Sequence, residues 1–436
     1  MEIKNMEDNK SFCLAPWVHA YISPLGERRI CCASIDNQID IAQNTQIPLQ
    51  DFWNGPYIKS IRCKMLKGEK LPQCQVCDEK ILSIDIYKNY FNKKLFPHLM
   101  AEAISRTRED GHTDMQPISF NYRISNVCNF KCRMCSDEAS SAIENENKRM
   151  NRNADHIDHW TNLENKKKLN QFIKDVAEKE LWNAVNEKSI QEIYWVGGEP
   201  LLMKFHWEVM NQLVESKHSL NTWVRYNTNL SVLSFKQYNL LEILPQFKNV
   251  ELLVSIDGTH EIGEYIRDGL IWKEWVKNLE QCLFLKDIYG RWAVTLDITL
   301  TSPGLFSLKK LIDLAVNLKL NMIVKTTYSF DSTIIMSPLM IPRIYLDEIL
   351  DDLIIYAISF LSVHPPLFGL IRSLQHLKKR KTFEEEYPNW LSGITIGKTH
   401  LHQIDIFRNK PDFLNNVFKD NHNGLYNWWI KIPTTN

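Results

Sequence analysis

The chain has no net charge: 52 Lys and Arg offset 52 Asp and Glu over 436 residues. That removes any global pull toward nucleic acid or an anionic membrane surface, and no nucleic-acid partner is expected. Basic clusters do occur, at "NKKK" (165–168) and "LKKRK" (377–381), the second running into the acidic "EEE" at 384–386. Solvated helix faces account for both. Long apolar runs are also missing. The longest, "LIIYAISFLSV" (353–363), is too short to cross a bilayer and follows Asp351 and Asp352. The opening "MEIKNMEDNK" is charged and has no apolar stretch, so no signal peptide is expected and a cytoplasmic location is. Repeats and low-complexity tracts are absent. At 44% hydrophobic and 24% charged residues, the composition is that of an ordinary globular protein, and the length allows about two to four domains.

Cysteine is plentiful and uneven. Six of the ten lie at 13, 31, 32, 63, 74 and 77, and three more lie in "NVCNFKCRMC" at 128, 132 and 135. Cys282 stands alone in an apolar helical pattern and reads as a buried core thiol. In a reducing compartment such clusters are metal ligands or catalytic groups rather than disulfides, and their grouping predicts two sites. The spacing C-x3-C-x2-C supplies three ligands. A tetrahedral structural ion asks for four. Three leave one position open, unless a distant ligand completes a zinc site.

Residues 1–100 read as a small, loop-rich, cysteine-rich unit with short strands ("WVHAYIS", 17–23, and "RRICCA", 28–33) and then helical segments. From about 115 to 330 short β-rich runs alternate with helical stretches: "ISFNYRIS" (118–125), "IQEIYWV" (190–196), "TWVRYN" (222–227), "NVELLVSI" (249–256), "RWAVTLDITL" (291–300) and "NMIVKTTY" (321–328). Strands alternating with helices predict a parallel α/β sheet with right-handed crossovers. Residues 136–188 form a long, charged and helical first connection. Residues 331–436 read as mostly helical.

Ligand-handling residues of such arrays gather where strand C-termini meet the following loops. The three close-set cysteines follow the first run, "GGEP" (197–200) the second and "NTN" (227–229) the third. "SIDG" (255–258) closes the fourth run. Each of the last three, taken alone, is also ordinary turn chemistry.

Together these motifs resemble the radical S-adenosylmethionine (radical SAM) enzymes, over about 118–330 and in the family's order. The family signature CxxxCxΦC is matched by Cys128, Cys132 and Cys135, with Met134 where an aromatic residue is usual. The resemblance implies a partial (β/α)6 barrel of the TIM type. It also implies a 4Fe–4S cluster whose fourth iron binds SAM and cleaves it to a 5′-deoxyadenosyl radical. Gly197, Gly198 and Glu199 match the motif that receives the methionine amino group. Ser255 matches a ribose or carboxylate contact, and Arg267, in "GEYIRDG", a carboxylate partner. A surface salt bridge is the alternative for Arg267. Asn229 and the end of the sixth strand near Tyr328 stand as further ribose and adenine contacts.

The segment Cys13–x12–Gly26–x4–Cys31, followed by Cys74 and Cys77, resembles the auxiliary-cluster region of SPASM and twitch radical SAM proteins. That resemblance implies a second 4Fe–4S cluster on Cys13, Cys31, Cys74 and Cys77, in a module that here precedes the barrel rather than following it. Cys32 could replace Cys31, Cys63 is spare, and a zinc knuckle on the same four cysteines is the alternative. The implied partners are an electron donor such as flavodoxin or ferredoxin and a substrate, with peptide or protein favoured by analogy alone. Dehydrogenation or rearrangement of a sugar or nucleotide is the small-molecule alternative. A non-catalytic zinc- or cluster-bearing binding protein is the alternative of another class.

Overall fold

The computed structural model describes residues 9–78, 86–151, 162–328, 330–331 and 333–434. Seven parallel strands form one sheet in sequential order. They are β1 (His19–Ile22), β2 (Ser119–Tyr122), β3 (Glu192–Trp195), β4 (Trp223–Thr228), β5 (Asn249–Ser255), β6 (Trp292–Leu300) and β7 (Asn321–Thr326). All six strands expected from the sequence are present. The seventh, β1, falls within "WVHAYIS", expected as a strand of the cysteine-rich unit, and here joins the sheet of the barrel. It comes from the cysteine-rich unit and pairs with β2 in register His19↔Ser119 to Ile22↔Tyr122. The boundary expected between residues 1–100 and the barrel is therefore bridged by a shared sheet.

The strands alternate in a way that builds both a core and a lumen. On β4, Val224 and Tyr226 enter the hydrophobic core, while Arg225 and Asn227 line a cavity inside the sheet. The connecting helices cover the outer face with apolar stripes at helical spacing. Lys204–Glu215 buries His206, Trp207, Val209, Met210 and Leu213, and Leu308–Asn317 buries Leu308, Leu311, Ile312 and Ala315.

Among the described residues no ladder joins β7 back to β1, so the barrel is partial. A π-helical turn of the N-terminal unit, Tyr90–Leu95, reaches into the lumen. Its Tyr90 hydroxyl donates to Glu251 of β5, and Lys94 Nζ donates to the same carboxylate at 2.7 Å. The Arg225 guanidinium lies 3.6 Å from the Tyr90 ring centre and 4.3 Å from that of Tyr194. The first connection is helical, as expected, over Ser141–Arg149, Leu163–Phe172 and Glu178–Asn186. Beyond β7 the chain is helical, with Arg343–Ser359, Leu367–Lys379 and Trp390–Phe407 the longest elements. No helix among the described residues is long and apolar enough to cross a membrane.

Candidate radical and auxiliary cluster sites

The loop after β2 is shaped by its own polar side chains. Asn126 Nδ2 donates to the Asp137 carbonyl and to Glu144, each at 3.0 Å, and its own carbonyl accepts from Ser141 N–H at 2.7 Å. Ser140 Oγ donates to the Phe130 carbonyl at 2.6 Å. These bonds fold back the stretch that carries Cys128, Cys132 and Cys135, and the Cys132 and Cys135 thiols are hydrogen-bonded to each other. Burial pushes Cys128 up to about 12. Cys132 is lowered, first by the bond from Cys135 and then by the Arg267 charge, against its own burial. Cys135 is raised by the same bond. Metal ligation takes the thiolate form, so Cys132 is the best prepared of the three.

Arg267 reaches the loop through a two-residue antiparallel ribbon in which Cys132 faces Arg267 and Lys131 faces Asp268. Its Nη1 is 4.0 Å from Cys132 Sγ, and its Nε is 2.7 Å from the fully buried carboxylate of Asp257. The surface salt bridge is thus replaced by a buried pair. Asp257, which holds the arginine, is not singled out by the sequence. It lies inside the quoted "SIDG", where only Ser255 was singled out, and it also accepts from the Thr299 N–H at 2.7 Å. Ser255 ends β5, half-buried and in register with Asp297.

"GGEP" packs directly on the cysteine loop. Gly197 and Gly198 both have left-handed backbones, with φ of 94° and 53°. A Cβ on Gly198 would lie 2.4 Å from the Val127 carbonyl, and one on Gly197 would lie 3.0 Å from Arg123 Cβ. The Glu199 N–H donates to that Val127 carbonyl at 2.7 Å. The two glycines let this turn approach residues 123–127 closely. The Glu199 carboxylate is occupied internally. It accepts from Thr228 Oγ1 at 2.7 Å, Asn229 N–H at 2.6 Å and Leu201 N–H at 3.1 Å. Burial outweighs those three donors and raises it to about 7. Asn229 Nδ2 points toward Cys128 Sγ at 3.9 Å. Met134 and Cys135 line a cleft of about 440 Å³ facing the helix Trp390–Phe407. Tyr328 falls beyond β7, with the Arg380 guanidinium 4.4 Å over its ring.

The C-terminal helices, for which the sequence suggested no definite role, clamp the cysteine loop. Arg133 Nη1 pairs with Asp405 at 2.7 Å, and the Tyr265 hydroxyl donates to the same carboxylate at 2.8 Å. Arg408 donates to the Lys131 carbonyl at 2.9 Å and from Nε to Glu146 at 3.0 Å.

In the N-terminal unit, Cys13, Cys31, Cys74 and Cys77 act on one another electrostatically. Backbone N–H groups aim at the sulfurs: Ala15 at Cys13, Ala33 at Cys31, and Tyr87 and Lys88 at Cys77. Burial pushes Cys13 up to about 12 and raises the other three. Buried thiols met by backbone donors suit an iron–sulfur cluster, whose potential such bonds tune. Among the described residues no three His, Cys, Asp or Glu side chains converge closely enough to hold a single ion. Cys32 is hydrogen-bonded to the Tyr87 hydroxyl and, like Cys31, lines the cavity inside the sheet. Cys63 sits on the helix Pro56–Leu66 with its thiol near the Glu109 carbonyl, and Cys282 is fully buried in the core.

Comparison with known proteins divides the chain along the same lines. The family model described as the Radical SAM superfamily matches residues 122–283, and one described as an iron-sulfur cluster-binding domain (SPASM) matches residues 13–78. No curated protein matches. Similar solved structures include SuiB of Streptococcus suis bound to precursor peptide SuiA, at 15% identity and a TM-score of 0.35, covering 59% of this chain and 49% of that one. The same protein bound to S-adenosylmethionine is matched at 15% identity and a TM-score of 0.32, over 59% and 51% of the two chains. The chain thus spans about half the length of these structures.

Proposed function

Since the chain is a radical SAM protein with an auxiliary iron–sulfur domain ahead of its barrel, we propose that it cleaves SAM reductively and uses the radical to modify a side chain of a peptide or protein. The observation that carries this reading is the meeting of Cys128, Cys132 and Cys135 with Arg267 and the "GGEP" turn at one end of the sheet. When bound, a cluster with one iron free of protein ligands supplies the electron that splits the sulfonium.

The protein's own groups divide the remaining work. Arg267, fixed by Asp257, keeps a positive charge beside Cys132 and offsets thiolate charge there. Glu199 ties the ends of β3 and β4 together, so that the Gly197–Gly198 backbone is held rigidly against the cysteine loop. Cys13, Cys31, Cys74 and Cys77 would hold the auxiliary cluster, whose full ligand set excludes SAM. Cys31 also lines the lumen cavity, within reach of an electron leaving a substrate radical there.

That cavity, about 80 Å³, favours a peptide over a sugar or nucleotide. Sites for whole small-molecule ligands run to roughly 300–1,000 Å³. A volume this small suits one side chain inserted from a larger substrate. A low-potential donor such as flavodoxin or ferredoxin would deliver the electron.

Anaerobic reconstitution tests the reading. The expected product holds about eight irons per chain and forms 5′-deoxyadenosine from SAM and dithionite. Co-expression with short reading frames encoded beside the gene should give a peptide of altered mass. Zinc in place of iron would remove the enzyme, and turnover of a free sugar or nucleotide with no peptide modified would remove the substrate class.

A further inference from the structure

Cys31 and Cys32 are neighbours with different surroundings. Cys31 interacts with Cys13 and Cys74 and belongs to the auxiliary set. Cys32 completes no set of four. Its sulfur is hydrogen-bonded to the Tyr87 hydroxyl, and Arg123 and Tyr21 lie beside it. It also lines the lumen cavity opposite Asn121, Tyr194, Asn227 and Asp297, which come from β2, β3, β4 and β6. A thiol outside the proposed auxiliary set therefore looks into the lumen of the sheet.

The wall of this cavity carries an independent mark of an occupant. Asp297 is 4% exposed, and one carboxylate oxygen accepts from Lys325 Nζ at 2.7 Å and from Asn227. Its other oxygen, Oδ1, has no partner among the described residues. A buried acceptor left unpaired costs about 1–3 kcal/mol. A polar hydrogen on a ligand in the cavity would relieve that cost.

We propose that Cys32 is a hydrogen-atom donor to carbon-centred radicals formed in this cavity. The inference rests on the radical chemistry proposed above. An S–H bond is weaker than an aliphatic C–H bond, so the transfer runs downhill. The S–H bond of Cys32 breaks, a C–H bond forms on the radical carbon, and a thiyl radical remains on sulfur. One electron from the low-potential reductant that SAM cleavage already requires, and one proton from solvent, restore the thiol. The Tyr87 hydroxyl holds the sulfur in place and is itself engaged, which leaves the thiol as the free donor.

Two measurements on the reconstituted holoenzyme test this without a known substrate. In D2O the thiol becomes S–D. With SAM and dithionite alone, 5′-deoxyadenosine should then carry one deuterium, read by mass spectrometry as the deuterated fraction of whatever product forms. That fraction should be lost in Cys32→Ala and kept in Cys63→Ala. Persistence of the deuterated fraction in Cys32→Ala would overturn the assignment.

Alkylation with iodoacetamide gives a readout apart from turnover. Cys32 should be labelled while Cys13, Cys31, Cys74 and Cys77 are protected by the cluster. Labelling of Cys31 with protection of Cys32, or loss of about four irons in Cys32→Ser, would make Cys32 a ligand and end the proposal. Absence of any 5′-deoxyadenosine from the wild type would instead bring down the radical reading itself.

Discussion

Cys132 and Arg267 face each other across a two-residue ribbon, and Asp257 holds the arginine in that place at 2.7 Å. The positive charge near the thiol therefore depends on a third residue from another strand end. Removing the Asp257 charge leaves Arg267 buried and unpaired, and breaking such a pair costs about 3–5 kcal/mol. Asp257→Asn should lower the thermal midpoint clearly and reduce iron bound at the Cys128 site. An unchanged midpoint would mean that the pair contributes nothing.

Gly198 has no room for a methyl group, because a Cβ would stand 2.4 Å from the Val127 carbonyl and the backbone is left-handed. Strain of this kind costs on the order of 1–3 kcal/mol. Gly198→Ala should shift the cysteine loop and lower SAM-dependent 5′-deoxyadenosine formation while auxiliary iron is retained. Wild-type activity in the variant would show that the turn can relax freely.

Glu199 gives stability a defined pH dependence. Its folded value of about 7 lies above the ordinary 4.5. Between those values the folded chain keeps a proton that the unfolded chain has released, so stability falls as pH rises through the window and levels off above it. Glu199→Gln cannot ionise. The wild-type unfolding free energy minus that of the variant should decline from pH 5 to pH 7 and then stay flat, measured by urea titration. A difference that grows over this range would contradict the buried, protonated carboxyl.

Arg408 ties the last long helix to the cysteine loop through the Lys131 carbonyl and Glu146. Hydrogen bonds to charged groups contribute about 1.5–3 kcal/mol each. Arg408→Ala should speed the loss of the SAM-cluster iron to a chelator and leave the auxiliary iron in place. Equal rates for both pools would argue against a clamp.

The shared sheet predicts that residues 115–330 do not fold alone. Without β1, the edge of β2 loses its partner, and without Tyr90–Leu95 the lumen loses Tyr90 and Lys94 from Glu251. The isolated fragment should lack a cooperative unfolding transition. A sharp transition would mean that the barrel is self-sufficient.

Much of this organisation was legible in the sequence, because it is local. Six strands announced themselves by β-branched runs, and the loop cysteines by spacing. What escaped was set by distant partners. "HAYI" is an ordinary short strand until Ser119, a hundred residues on, pairs with His19. Asp257 resembled a turn residue because its arginine lies ten positions away on a ribbon that only the fold assembles. Nothing in "GGEP" shows that Thr228 and Asn229 will supply donors to the Glu199 carboxylate. The roles of Cys31 and Cys32 could not be separated by spacing, because adjacent residues differ only in what surrounds them.

The strand His19–Ile22 lies between Cys13 and Cys31, two of the cysteines proposed to hold the auxiliary cluster, yet finds its ladder partner only at Ser119–Tyr122. During synthesis it must wait about a hundred residues for a neighbour, so the first half of the iron-binding pocket emerges long before its frame exists. Metal should then be delivered late, once β1 and β2 have paired. The two halves would also travel together through evolution, since neither can be exchanged as a cassette without tearing a sheet.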